Sequence, residues 1–310
     1  MLDHRFSYIE APVYQGQKNF GTALGPAFLR QSLLDQGFQF NTYSVQVSQS
    51  QKHMPFSIYE ELSWLTEREL RRANPIFIAG GDHSLSIGSV QGLLRAEPDL
   101  KVIWVDAHGD VNTRASSMTG SYHGMPLAYL LGAENADHLP WFTERLKPQN
   151  LIYFGVRDLD QAEQEYLDQQ GITYYTAEQI HKTPETIIQK VSCAVKGAKV
   201  HFSVDCDGFD PMIAPSTGVP VAQGLQYQVV RDLICQVQSQ SQIVSYEYVE
   251  LNPQIFQQAH DVMATAQIGI ELFKEILNGY KTQGAIHGFN DRSISEKGTR
   301  LLHRSFQLEE

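Results

Sequence analysis

The 310-residue chain has 42% hydrophobic and 19% charged residues, which supports a large buried core and excludes disorder as the default. A formal net charge of -11 argues against general affinity for nucleic acid and weakly favours the approach of small cations. There is no basic-then-apolar leader, no apolar run long enough to span a bilayer, and only three scattered cysteines, Cys193, Cys206 and Cys235. The expectation is a cytoplasmic protein without membrane partners or a disulfide framework.

In chain order, short apolar runs that read as strands fall at 6–11, 75–79, 101–105, 150–154, 199–204 and 243–249. Between them, longer amphipathic stretches read as helices near 26–36, 57–72, 84–95, 124–131, 160–170, 184–195, 225–238 and 258–278. This alternation predicts an α/β fold, a three-layer αβα sandwich with a mainly parallel sheet covered on both faces. No linker-like composition shift divides the chain, so residues 1–310 read as one domain. The polar stretches 49–54 and 236–242 read as surface connections or helix ends. From 280 onward Gly, Lys, Arg and His mix without periodicity, leaving 280–310 a tail of open role.

Ligands of open parallel sheets bind beyond the carboxyl ends of the strands. Four polar segments sit there: Gly80 to Ser84 (GGDHS), Asp106 to Asp110 (DAHGD), Ser203 to Asp207 (SVDCD) and Glu247 to Glu250 (EYVE). Asp106, His108 and Asp110 are spaced by two, as are Asp205 and Asp207, so on extended backbone each set projects to one side. A lone Asp after a strand more often caps a helix or closes a turn. Five such residues in two patterned clusters, with His83 at a third strand end, point instead to metal. Four crowded aspartates without cations would repel one another and raise their own pKa values. Two divalent ions neutralise them, and an oxygen-rich set with imidazoles suits Mn²⁺ or a similar ion. Such a centre can generate hydroxide near neutral pH and clamp a substrate undergoing attack by water. Cys206, between two candidate ligands, reads as a small core residue.

The segments GGDHS at 80–84, DAHGDVN at 106–112, HGMP at 123–126 and SVDCDGFDP at 203–211 resemble those of the ureohydrolases, the family of arginase, agmatinase and formimidoylglutamase. APVYQGQKNFGTALGPAFLR near the start and ELNP at 250–253 extend the resemblance over residues 6 to about 255. It implies a hydrolase of a guanidinium C–N bond with two metals, usually manganese. One metal would take His83, Asp106, Asp110 and Asp205, the other His108, Asp106, Asp205 and Asp207, with Asp106 and Asp205 bridging. It also implies that Glu250 holds the guanidinium, a pairing suited to a planar cation, and that His123 shuttles protons. Homo-oligomers, trimers or hexamers, are common in the family.

For the far end of the substrate the resemblance points to Asn112 for an amino-acid carboxylate and to Asp160 with Glu163 for an α-amino group. Alone, Asp160 and Glu163 would read as an acidic helix start. Three positions depart from the arginase pattern. Thr119-Gly120-Ser121 replaces Ser-Gly-Asn, where Thr119 keeps the hydroxyl and Ser121, shorter than Asn, either loses a direct bond to the substrate carboxylate or replaces it by water, and Val219 stands where a threonine is common. The small cationic substrate expected is L-arginine, with agmatine, another guanidino acid or formimidoylglutamate as alternatives. A catalytically silent ureohydrolase-like binding protein is the non-enzymatic alternative.

Overall fold

The computed structural model describes residues 6–45, 56–255 and 258–287, with side chains through residue 280. Eight strands form one sheet: β1 (Ser7–Ala11), β2 (Asn41–Ser44), β3 (Ile76–Gly80), β4 (Lys101–Val105), β5 (Leu151–Val156), β6 (Thr173–Thr176), β7 (Lys199–Asp205) and β8 (Gln242–Val249). Their order across the sheet is β2-β1-β3-β8-β7-β4-β5-β6, and every pairing is parallel. Parallel neighbours need crossovers, which the helices supply: α1 (Gly25–Asp35), α2 (Phe56–Arg71), α3 (Ser86–Ala96), α4 (Pro126–Leu131), α5 (Gln161–Gln170), α6 (Ala177–Lys182), α7 (Pro184–Ala194), α8 (Tyr227–Gln238) and α9 (Ala259–His287).

Period-two alternation along each strand feeds two separate cores. On β4, Ile103 and Val105 face a core shared with Leu29 and Leu33 of α1, Ile234 of α8 and Phe273 of α9. Val102 and Trp104 face the opposite core, with Leu62 of α2, Val90 of α3 and Leu127 of α4. This is the expected αβα sandwich. Each such buried side chain contributes about 1.5–3 kcal/mol of transfer free energy, so the central strands are anchored from both faces.

All six expected strands form. Two more, β2 and β6, are missing from the sequence reading because both are short polar edge strands, NTYS and TYYT, with no fully buried residue. The short helix α6 was also missed. Its start is a capping box, in which the Thr176 side chain takes the Gln179 N–H and Gln179 answers to the Thr176 N–H. Helix α9 continues through residue 287, so the expected end at 278 and the tail boundary at 280 fall inside a helix. The 49–54 stretch lies outside the described residues. Of 236–242, only 239–241 connects elements, since α8 ends at Gln238 and β8 begins at Gln242.

Candidate metal centre

Strands β3 and β4 follow one another in the chain but are separated in the sheet by β8 and β7. The loops leaving their carboxyl ends therefore part and open a crevice at the centre of the sheet. The candidate ligands come from β3, β4 and β7, and Glu250 follows β8, so four adjacent strands deliver the site.

Local backbone geometry corrects one expectation. The segments with two-residue spacing are not extended. Asp106 Oδ1 accepts the His108 N–H at 2.7 Å, and Asp205 Oδ1 accepts the Asp207 N–H at 2.8 Å. Residues 206–208 form a 3-10 turn. In both cases one carboxylate oxygen of the aspartate folds the following backbone, the habit of Asx residues. Asp110 and Glu250 adopt φ of 51° and 65°. They are two of the four non-glycine residues with positive φ among those described, the others being Ala73 and Gln223, and at the site they mark backbone held against its preference by the surrounding structure.

His83 lies in a turn that starts with Asp82 as its cap. Its Nδ1 stands 3.1 Å from Asp106 Oδ2, 3.0 Å from Asp110 Oδ2 and 3.2 Å from Asp205 Oδ2. His108 Nδ1 stands 3.5 Å from Asp106 Oδ1 and 3.3 Å from Asp207 Oδ2. Asp106 thus offers one oxygen to each imidazole, as a bridging ligand must. Among the described residues two metal-competent groups emerge, His83 with Asp106 and Asp205, and Asp106 with His108 and Asp207. Asp110 joins the first through its contact with His83.

The residues fit divalent cations. His83 Nδ1 and Asp110 Oδ2 are buried and have no hydrogen-bond partner although they are close together, an arrangement that a shared cation satisfies. Burial, reinforced by the charge of Asp106, pushes Asp110 up to about 6. Burial and then the charges of Asp207 and Asp106 hold Asp205 well above the carboxylate range. For His83 burial acts downward, but Asp106, Asp110 and Asp205 outweigh it and raise its pKa well above normal. Protons are the only counter-charge these side chains can find among themselves, and dications supply a better one.

Further residues hold this set, and none of them received a role from the sequence. Trp104 stacks on His83 with ring centroids 4.1 Å apart and donates its indole N–H to Asp106 Oδ2 at 3.0 Å. The far nitrogen of His83, Nε2, meets Ser203 Oγ at 2.9 Å, and Ser203 donates to buried Glu247 at 2.9 Å. Glu247 also receives the hydroxyls of Ser86 and Ser89. The signal for this chain of contacts was present: Ser203 and Glu247 are polar residues inside otherwise apolar strands. His108 Nε2 lies 3.7 Å from Asp158.

Glu250 is buried and accepts the backbone N–H of His83 at 3.0 Å. His123 Nδ1 faces the same carboxylate at 3.3 Å. Burial alone would lower the His123 pKa, yet Glu250 outweighs it and lifts the imidazole to about 9. On the other side of the site, Asn112 donates to Asp160 at 2.8 Å. Asp160 caps α5 in a capping box with Glu163, so its local structural role is real alongside any ligand role. Burial and then Asp110 push Glu163 up to about 7. Thr119 and Ser121 sit on the loop before His123, where Thr119 Oγ1 accepts the Ser121 N–H at 3.1 Å. Val219 is 42% exposed.

A parallel sheet with two His/Asp ligand groups sharing a carboxylate at its switch point describes the class of metal-assisted hydrolases. The Arginase family model matches residues 5–278, and the chain belongs to that family. It is 31% identical to mitochondrial arginase-2 of Rattus norvegicus, over 87% of this chain and 83% of that protein. It is also 31% identical to the arginase of Bacillus subtilis, over 81% of this chain and 92% of the relative. The crystal structure of the Bacillus subtilis arginase superposes with a TM-score of 0.78 at 29% identity, covering 88% of this chain and 98% of that one. This chain is accordingly a hydrolase acting on amidine C–N bonds.

Proposed function

We propose that the chain hydrolyses L-arginine to L-ornithine and urea with two manganese ions. The metal ligands are His83, Asp106, His108, Asp110, Asp205 and Asp207. The observation that carries the choice of arginine is the Asn112–Asp160 hydrogen bond of 2.8 Å. It couples an amide and a carboxylate at the β4 and β5 side of the crevice, while Glu250 lies on the β8 side. A zwitterionic amino-acid end fits the first pair, and a planar cation fits Glu250. Agmatine lacks the carboxylate and would leave Asn112 without that use.

When bound, the paired cations acidify water enough to supply a nucleophile near neutral pH. The remaining work belongs to side chains. Glu250 orients the guanidinium so that its carbon faces the nucleophile, and Asn112, Asp160 and Glu163 fix the other end, with Thr119 and Ser121 at the rim. His123, 24% exposed at its side chain and paired with Glu250, delivers a proton to the departing amine. A cytoplasmic location and a homo-oligomer, trimer or hexamer, belong to the same reading.

The test is a manganese-activated urea and ammonia release assay with L-arginine, agmatine, guanidinobutyrate and formimidoylglutamate side by side. Urea from arginine, at a kcat/KM at least about tenfold above the other substrates, a gap of about 1.4 kcal/mol, is the expected result. A preference for agmatine overturns the choice of substrate.

A further inference from the structure

The segment 14–17, between β1 and α1, runs into the site and is held from two sides. Gly16 donates its N–H to Asp82 at 2.7 Å, and its carbonyl accepts the His123 N–H at 3.2 Å. A side chain at residue 16 would displace Asp82 and Ser84, because a Cβ there would lie 2.5 Å from both Asp82 Oδ1 and Ser84 Oγ. This close approach sets the next residue, Gln17, over Glu250. Gln17 Nε2 lies 2.6 Å from Glu250 Oε2, and since a carboxylate only accepts, the amide must present its nitrogen there.

A glutamate carboxylate turns easily about its last bond, where the torsional wells are broad. The His83 N–H fixes Oε1 alone. Gln17 fixes the second oxygen and with it the plane of the group. An ionised carboxylate has about four acceptor positions, and these two donors take one on each oxygen. A third faces His123 at 3.3 Å, longer than either fixed bond. One position per oxygen then remains for two parallel N–H groups of a planar cation, once the His123 contact yields.

Building on the guanidino reading above, we infer that Gln17 is a positioning residue for substrate recognition, holding the Glu250 carboxylate in the plane that receives a guanidinium. Its side-chain hydrogen bond goes to Glu250 and not to a candidate metal ligand. Its loss should therefore weaken capture of the cation and leave the metals in place.

Calorimetric titration of methylguanidinium into the manganese-loaded full chain tests this without requiring turnover. Gln17→Met keeps the length and removes the donor, and Gln17→Asn keeps the amide but cannot reach. Both should weaken the methylguanidinium Kd about tenfold, the factor for one hydrogen bond to a charged group. KM for the guanidino substrate should rise accordingly, with manganese affinity unchanged. Wild-type affinity for methylguanidinium in either variant overturns the inference, as does a parallel loss of manganese that would make Gln17 merely structural. If wild-type protein itself fails to bind methylguanidinium, the guanidino reading falls and the inference with it.

Discussion

His83 Nδ1 and Asp110 Oδ2 stand 3.0 Å apart, both buried and neither in a hydrogen bond. A divalent cation between such atoms removes two unsatisfied groups at once and relieves the carboxylate repulsion that lifts Asp110. Chelation should therefore lower Tm, and excess manganese should restore it by mass action, worth about 2.7 kcal/mol at a hundredfold excess over Kd. Differential scanning fluorimetry with and without chelator reads this. An unchanged Tm would count against a metal in the folded protein.

Among the described residues, Asp106 alone presents oxygens to both imidazoles. Asp106→Ala should reduce the bound manganese from two equivalents to at most one, as counted by plasma mass spectrometry, and cut turnover by on the order of 10²-fold or more, the scale of losing a buried charged partner. Two retained equivalents with full activity would remove Asp106 from the bridging role.

The Ser203 and Glu247 chain behind His83 should be felt in metal affinity before it is felt in chemistry. Partners of this kind orient a ligating imidazole and typically account for 10- to 100-fold in affinity or activity, roughly the loss expected for Ser203→Ala. Glu247→Gln keeps the volume but replaces an acceptor by a donor facing three hydroxyls. It should weaken manganese binding similarly, measured by competition with a metal indicator dye. Wild-type affinity in both variants would reduce the chain of contacts to core packing.

Glu250→Gln tests the cation site without disturbing its shape. The amide loses the charge that a guanidinium seeks, so kcat/KM should fall on the order of 10²-fold, as for a buried charge pair deprived of one partner. Manganese content should not change. Steady-state kinetics beside metal analysis separates the two effects, and an unchanged kcat/KM would sink the guanidinium role.

The central strands were legible because burial on both faces forces near-continuous apolar runs such as KVIWV, and the candidate ligands stood out because they follow those runs at once. Edge strands β2 and β6 carry no such constraint. Their pairing comes from β1 and β5 as templates, which a local pattern does not contain. The spacing of Asp106, His108 and Asp110 implied a geometry that the fold does not use, since capping by Asp106 and the left-handed turn at Asp110 bring these side chains together where a pleat was expected to do so. Gln17 was illegible for another reason. Its partner is 233 residues away, and a lone Gln in a polar loop has no spacing to betray it.

His201 offers a pH test away from the ligands. It lies fully buried on β7 with Nδ1 2.7 Å from Ser245 Oγ, and Nε2 has no partner. Burial lowers its pKa from 6.5 to about 4. The folded protein thus keeps His201 neutral where the unfolded chain would protonate it. The sign follows: this stability is present above pH 6.5, and it is lost progressively as pH falls from there towards 4. At pH 5 the loss is about 2 kcal/mol relative to neutrality. His201→Gln cannot take up that proton in either state. Urea unfolding of both proteins, stripped of metal, should show wild type losing about 2 kcal/mol more than the variant between pH 7 and pH 5. Parallel losses in the two proteins would mean that His201 titrates normally in the fold, despite its burial.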